Sequence, residues 1–158
     1  MQWGADEEFC LANGWTPNLP PEQIRTHWQQ FIAAPPRDCL SFVIDLQGRA
    51  VGHVDLAFLT PESGEFGIAI GASELWGKGI GAEAGRLMLT HAFDVLKVPL
   101  VFAEVHLPNR RSRALMHKIG FMEVGPAGAE EYQGEVVPMI RYEINRHLFS
   151  LGRSMDEG

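Results

Sequence analysis

Three glycines at alternate positions, in Trp76-Gly77-Lys78-Gly79-Ile80-Gly81-Ala82, make this the segment of the sequence best suited to chemistry. An apolar stretch with strand character precedes it, and a long amphipathic run begins at Gly81. The amides of the segment therefore fall where a helix N-terminus offers unpaired N–H donors to an anion. Side chains would hold phosphate oxygens away from those donors, and any left-handed turn there favours glycine. The segment reads as a phosphate-binding loop, the simpler alternative being a strand-to-helix turn without a ligand.

Three kinds of phosphate site compete for it. A nucleoside-triphosphate loop needs four residues between its first glycine and Gly-Lys, followed by Ser or Thr. Here Gly71 to Gly77 has one residue too many and Gly79 follows Lys78, so that reading fails. A dinucleotide fingerprint fits literally as Gly79-x-Gly81-x-x-Ala84, with Glu104 roughly where a ribose-binding acid is sought. The hairpin pattern upstream and the few βα units left downstream weaken it. The third kind is the pyrophosphate loop of the GNAT N-acetyltransferases, Gln/Arg-x-x-Gly-x-Gly/Ala, which Gly79-Ile80-Gly81 resembles with Trp76 in the Gln/Arg position. Trp-Gly-Lys-Gly is similar to the RimJ/RimL-like branch of that family.

A second motif separates the three. Asn109-Arg110-Arg111-Ser112, followed by Leu115, Lys118, Gly120 and Phe121, resembles the GNAT pattern Asn-x-x-Ser/Ala…Lys-x-Gly-Phe. Taken alone, Asn109 is an ordinary helix cap, Ser112 a first-turn residue and Gly120 a terminator. The resemblance, which extends from about Leu40 to Arg146, implies an α/β (α+β) fold. Its sheet is mixed and mostly antiparallel, with splayed parallel central strands and helices on both faces. The splayed pair would be Glu65 to Ile70 and Leu100 to His106. Main-chain groups of Ile68 and Ile70 would bind the pantetheine arm of acetyl-CoA, the cosubstrate. The segment Trp76, Gly77, Lys78, Gly79, Ile80, Gly81, Ala82 would bind its pyrophosphate, and Asn109 and Ser112 would flank the thioester.

The implied reaction moves an acetyl group to a primary amine, on a protein N-terminus or a small molecule, by direct attack in a ternary complex. It needs a neutral amine, a polarised carbonyl and a stabilised thiolate. Glu65 and Glu104, one on each splayed strand, are the candidate proton acceptors, with His106 and Asp55 as outsiders. Met116 stands where many relatives carry a tyrosine acid, which leaves Ser112, Tyr132 or Tyr142 for that role. No cysteine stands near either motif, so no acetyl-enzyme is expected. A non-catalytic acyl-CoA sensor is the alternative that Met116 suggests, and a dinucleotide-binding domain the remoter one.

The elements that must position these residues follow from periodicity. Ile24, Trp28, Phe31 and Ile32 mark a helix between Pro20-Pro21 and Pro35-Pro36. Leu40 to Leu46 and Val51 to Leu59 predict a hairpin turning at Gln47-Gly48-Arg49. Gly81 to Lys97 predicts the strongest helix, with Ala84, Leu87, Met88, His91, Val95 and Leu96 as its apolar stripe. Leu100 to His106 and Val136 to Arg146 read as strands, Gly125 to Gly134 as a loop on the acceptor side, and Ser150 to Gly158 as a polar tail. A single domain over residues 1–150 with a tail at 151–158 is expected from a chain of 158 residues. Met1 to Leu11 resembles the middle of the first family helix, so the family's first strand is expected to be missing, either through a late start codon, the favoured reading, or with the sheet edge completed by another chain.

Composition excludes several classes. A formal net charge of -7 opposes general nucleic-acid binding and suits a cationic partner. No apolar run approaches the roughly 20 residues of a membrane span, and Asp6, Glu7 and Glu8 stand where a signal peptide needs positive charge. A cytoplasmic protein, with dimerisation as an option, is the expectation. Cys10 and Cys39 lack metal-ligand spacing and read as small buried hydrophobes, and no metal is expected.

Overall fold

The computed structural model describes Cys10 and residues 18–71 and 73–156. Helix α1, Pro21–Ala33, starts with a proline in its first turn and rests on the sheet through the Trp28 ring, 5.5 Å from that of His53. Strands β1 (Leu40–Leu46) and β2 (Arg49–Ala57) form the expected hairpin. Gln47 and Gly48 both have positive φ, 53° and 84°, the two-residue turn whose twist matches that of the strands. Then follow β3 (Ser63–Ile70), α2 (Ile80–Thr90), β4 (Leu100–His106), α3 (Arg110–Ile119), β5 (Met122–Tyr132), β6 (Glu135–Asn145) and α4 (Arg146–Asp156).

The strands make one sheet in the order β1-β2-β3-β4-β6-β5. All neighbours are antiparallel except β3 and β4, which run parallel. That parallel pair is short: Ser63, Gly64 and Glu65 match Leu100, Val101 and Phe102, and beyond this rung the strands separate. The fold is the expected mixed, mostly antiparallel sheet with a splayed parallel pair at its centre.

Strand alternation sorts side chains onto two faces. Val54, Leu56, Phe66, Val101, Ala103, Val105, Tyr142 and Ile144 point into a core shared with α2, α3 and Phe149 of α4. His53, Asp55, Glu65, Phe102, Glu104, His106 and Arg141 alternate to the other face, which carries α1 and most of the chemistry.

Three sequence expectations give way. The buried residues of α2 are Ala82, Ala84, Gly85, Met88 and Leu89, whereas Leu87 is 67% exposed. Small residues mark this face because α3 comes close: a Cβ on Gly85 would stand 2.5 Å from Ile119 Cδ1. Past Thr90 the helix loosens into a π turn, with Leu96 N bonded to His91 O at 3.0 Å, which swings Val95 to 63% exposure and brings Ala92 and Phe93 inside. The expected polar tail from Ser150 is helical up to Asp156, because α4 buries Phe149 against Phe93, 5.5 Å between ring centres. The segment Gly125 to Gly134 is mostly strand rather than loop. Its Gly and Pro punctuation marks bulges between Glu123 and Gly125 and between Pro126 and Ala129, on an edge strand where a proline loses no ladder bond. The reading of Met1 to Leu11 as helix, and the missing first strand, fall outside the described residues apart from Cys10.

Candidate active site

The glycine loop leaves β3 through a 3-10 turn, Ser73–Leu75, and enters α2 at Ile80. Gly77 and Gly79 have φ of 75° and 82°, where a Cβ is strained. The bond from Glu83 N to Gly79 O, 3.1 Å, opens the ladder of α2. The amides of Ile80, Gly81 and Ala82 lie ahead of it and have no carbonyl within the helix to bond. Such donors at the positive end of the helix dipole suit an anion.

A cavity of about 350 Å³ opens beside this loop, in the size range of small-molecule sites. It brings together ten of the eleven residues the sequence assigned to cofactor binding. Ile68 and Ile70 enter from β3; Trp76, Gly77 and Gly79 to Ala82 from the loop; Asn109 and Ser112 from the start of α3. Lys78 is exposed and does not line the cavity, so the pattern of the loop extends one side chain beyond the wall.

Main-chain groups of β3 point alternately toward β2 and toward the gap. Gly71 N donates to Val51 O at 2.7 Å, so alternate residues, Ile70 and Ile68, turn their N–H and C=O groups away from β2 toward the gap. One of these groups is engaged: Trp76 Nε1 donates to Ile70 O at 3.0 Å. The tryptophan that departs from the Gln/Arg pattern thus ties the loop to the strand end.

Arg111 lies over the Trp76 ring, 4.2 Å from its centre, and both Arg111 and Lys118 line the cavity. These cations suit phosphate in an otherwise acidic chain. Sequence reading did not assign them, although Arg111, Leu115 and Lys118 at helical spacing share one face of α3. Asn109 Oδ1 accepts from Ser112 N at 3.1 Å, so the cap and a place in the cavity wall coexist. One expectation is corrected: a cysteine does stand near the motifs, since Cys10 packs with Ala69 and Trp76. It is fully buried, which withholds its thiol from substrate.

Glu65 and Glu104 do not line the cavity. They lie on the opposite face of the sheet, Glu65 on the last rung before the strands part. Their surroundings differ. Glu104 pairs with Arg141 at 3.6 Å, and Arg141 also binds Glu143 at 3.2 Å while its guanidinium covers the Phe102 ring. Burial pushes the Glu65 carboxyl above the usual carboxylate range, and the charges of Glu104 and Glu130 add to this against a smaller opposing pull from Arg141. His106 faces Glu130 at 3.5 Å and stacks on Tyr132, ring centres 4.6 Å apart. Asp55 is engaged in structure: it accepts from Ser41 Oγ and meets His53 Nδ1 at 3.0 Å.

Met116, at the position where many relatives carry a tyrosine, and Tyr142, one of the candidates for the acid role, are both core. Met116 is 1% exposed, and Tyr142 is fully buried with its hydroxyl accepting from Arg113 Nε at 3.3 Å. The antiparallel hairpin upstream and the single parallel rung set leave no doubly wound sheet of the dinucleotide kind.

The acetyltransferase (GNAT) domain family matches residues 1–122 of the chain. This chain is a member of the GNAT acetyltransferase family. A stretch of 56 residues is 41% identical to the "putative ribosomal N-acetyltransferase YdaF" of Bacillus subtilis (strain 168), over 35% of this chain and 31% of that protein. The alignment spans about a third of the length of that curated relative, and it supports the RimJ/RimL-like branch. Among solved structures, the spermidine N-acetyltransferase of Vibrio cholerae, in complex with CoA and spermine, superposes with a TM-score of 0.76 at 22% identity. That match covers 94% of this chain and 89% of the other. A "putative acetyltransferase" of T. thermophilus gives a TM-score of 0.78 at 22% identity, over 96% and 84% of the two chains. At that identity these structures establish the shared GNAT fold. Among the described residues, no helix is long and apolar enough to cross a membrane.

Proposed function

We propose that this domain transfers an acetyl group from acetyl-CoA to a primary amine by direct attack within a ternary complex. The supporting observation is the opening beyond the Glu65 and Phe102 rung, with a cavity of unpaired amides on one face of the sheet and carboxylates on the other. The amides from Gly77 to Ala82, with Arg111 and Lys118, hold the pyrophosphate. Ile68 and Ile70 take the pantetheine amides in strand fashion, and Asn109 and Ser112 flank the thioester.

The amine approaches from the opposite face. There Glu65 accepts its proton, because a raised carboxyl is the better base of the pair and Glu104 is held by Arg141. The names of the relatives point to a ribosomal component and to a polyamine, and the resemblance to the RimJ/RimL-like branch adds a protein N-terminal amine.

Calorimetry with CoA and thiol release from acetyl-CoA over a panel of amines, including spermine and short peptides, test this reading. Micromolar CoA binding and amine-dependent thiol release are expected. Folded protein that fails to bind CoA sinks the proposal. The buried Met116 favours one second reading, a sensor, for which CoA would bind without turnover of any amine.

A further inference from the structure

Most glycines around the opening have a visible structural reason. Gly77 and Gly79 take positive φ, and a Cβ on Gly52 or Gly85 would run into Ala69 O or the Ile119 side chain. Gly67 has neither reason. It stands inside β3, and its φ lies outside the left-handed region. Among the described residues a Cβ built on it would meet one atom within 4 Å, Asp55 Oδ2 at 4.0 Å. A glycine inside a central strand gives up packing and β-propensity, and it often marks a place where a ligand comes close.

The position of Gly67 in the sheet indicates which ligand. Glu65, Gly67 and Ala69 share one face of β3. Glu65 closes the last rung with Phe102, so Gly67 is the first residue on that face past the point where β3 and β4 part. It pairs with Asp55 of β2. Because Gly71 N donates to Val51 O, the alternation of the ladder also turns the N–H and C=O of Gly67 toward β2. Its main chain is thus engaged in the sheet, and its contribution to the opening is an absent side chain.

That absence leaves a slot on the acceptor face. Glu65 borders it at one end, about 7 Å along the strand. At the other end, at a similar remove, is Ala69, which lines the cavity together with Ile68 and Ile70. Asp55 forms the wall toward β2, its carboxylate held by Ser41 Oγ and His53 Nδ1, and the Trp28 ring of α1 stands against His53.

Resting on the acetyltransferase reading above, we propose that Gly67 is the specificity-determining residue of the acceptor site, its missing side chain leaving the slot along which a primary amine passes from Glu65 to the thioester in the opening. The Asp55 carboxylate beside the slot favours an acceptor that arrives as a cation. Any side chain at position 67 narrows the slot from the acceptor side. The cosubstrate, held from the cavity on the other face, is left untouched.

The test compares the wild type with Gly67→Ala and Gly67→Val, using an amine that the wild type acetylates. The value of kcat/KM for the amine is expected to fall roughly 10-fold with alanine and roughly 100-fold or more with valine, in the order of side-chain size. The CoA dissociation constant by calorimetry should stay within about twofold, and the melting temperature should not fall, since both residues suit a strand better than glycine does. A Gly67→Val enzyme within about threefold of the wild-type kcat/KM overturns the inference and leaves the acetyltransferase reading intact. So does a loss of CoA affinity or of melting temperature that accompanies the loss of turnover in both variants. A wild type that binds CoA yet turns over no amine overturns both.

Discussion

The two sides of the opening between β3 and β4 are built from different material. On the side of α2 and α3 the cavity presents main chain: amides ahead of the helical ladder, glycines at positive φ, and strand groups of Ile68 and Ile70. On the other side the chemistry belongs to side chains from four strands, Glu65, Glu104 with His106, Glu130 with Tyr132, and Arg141. Main chain can hold the invariant part of a cosubstrate with little help from residue identity. Side chains carry the proton transfers and the choice of acceptor, so substitutions on the two faces should separate turnover from cosubstrate affinity.

The largest effect should come from the side-chain face. Glu65→Gln removes the proposed proton acceptor and should lower kcat roughly 100-fold or more, with CoA affinity unchanged by calorimetry. The acid limb of kcat/KM, set above the ordinary carboxylate range by burial and by Glu104 and Glu130, should disappear with it. Stability should move the other way. A carboxyl whose folded pKa exceeds its unfolded value favours the folded state at low pH, and that benefit is lost as pH rises through the folded pKa. At neutral pH Glu65 is thus a cost to the fold, and the glutamine variant should melt no lower than wild type. A variant that keeps wild-type turnover would move the base elsewhere on this face, with Glu104 next in line.

A smaller effect, read in affinity rather than turnover, should come from the main-chain face. Gly79→Val forces a β-branched residue to φ 82° at the N-cap of α2. Nothing lies within 4 Å of the added Cβ, so the cost falls on backbone geometry rather than on packing. With roughly 1 to 2 kcal/mol of strain at this position, the loop should relax and CoA affinity should drop about tenfold or more. Saturating cosubstrate should restore most of kcat. Loss of kcat at saturation, with unchanged affinity, would reverse the assignment of the two faces.

The same contrast explains what could be read from the sequence. The loop was legible because positive φ and close approach leave glycine as their trace, and Gly77, Gly79 and Gly81 follow one another closely in the chain. The hairpin is legible in strand alternation and the Gln47-Gly48 turn, whereas the splay is implied by the resemblance to the GNAT family alone. The buried face of α2 is not legible in its apolar stripe, because its contact with α3 is recorded in Gly81 and Gly85, residues that carry little hydrophobic signal. On the opposite face, alternation places Glu65 and Glu104 on the same side but does not give the register that brings Arg141 to Glu104, or the overhang that brings Tyr132 to His106. Those pairings join segments far apart in sequence, and the bulges that make the overhang looked like loop punctuation.

Lys78 gives the smallest and most pointed test, because the sequence pattern and the structure disagree about it. By pattern it belongs to the loop that holds the pyrophosphate, and a lysine beside phosphate would add a charge-assisted contact. In the structure its side chain is exposed and outside the cavity wall, while Arg111 and Lys118 supply the cations that line it. An exposed charge acting through water at that remove contributes at most about 1 kcal/mol and is screened by salt. Lys78→Ala should therefore change the CoA dissociation constant by less than about threefold at physiological salt, and Arg111→Ala by more. If Lys78→Ala proves the more damaging, the side chain folds over the bound diphosphate. The loop would then hold its ligand by charge as well as by main-chain donors, and the division between the two faces would be less clean than the geometry of the amides implies.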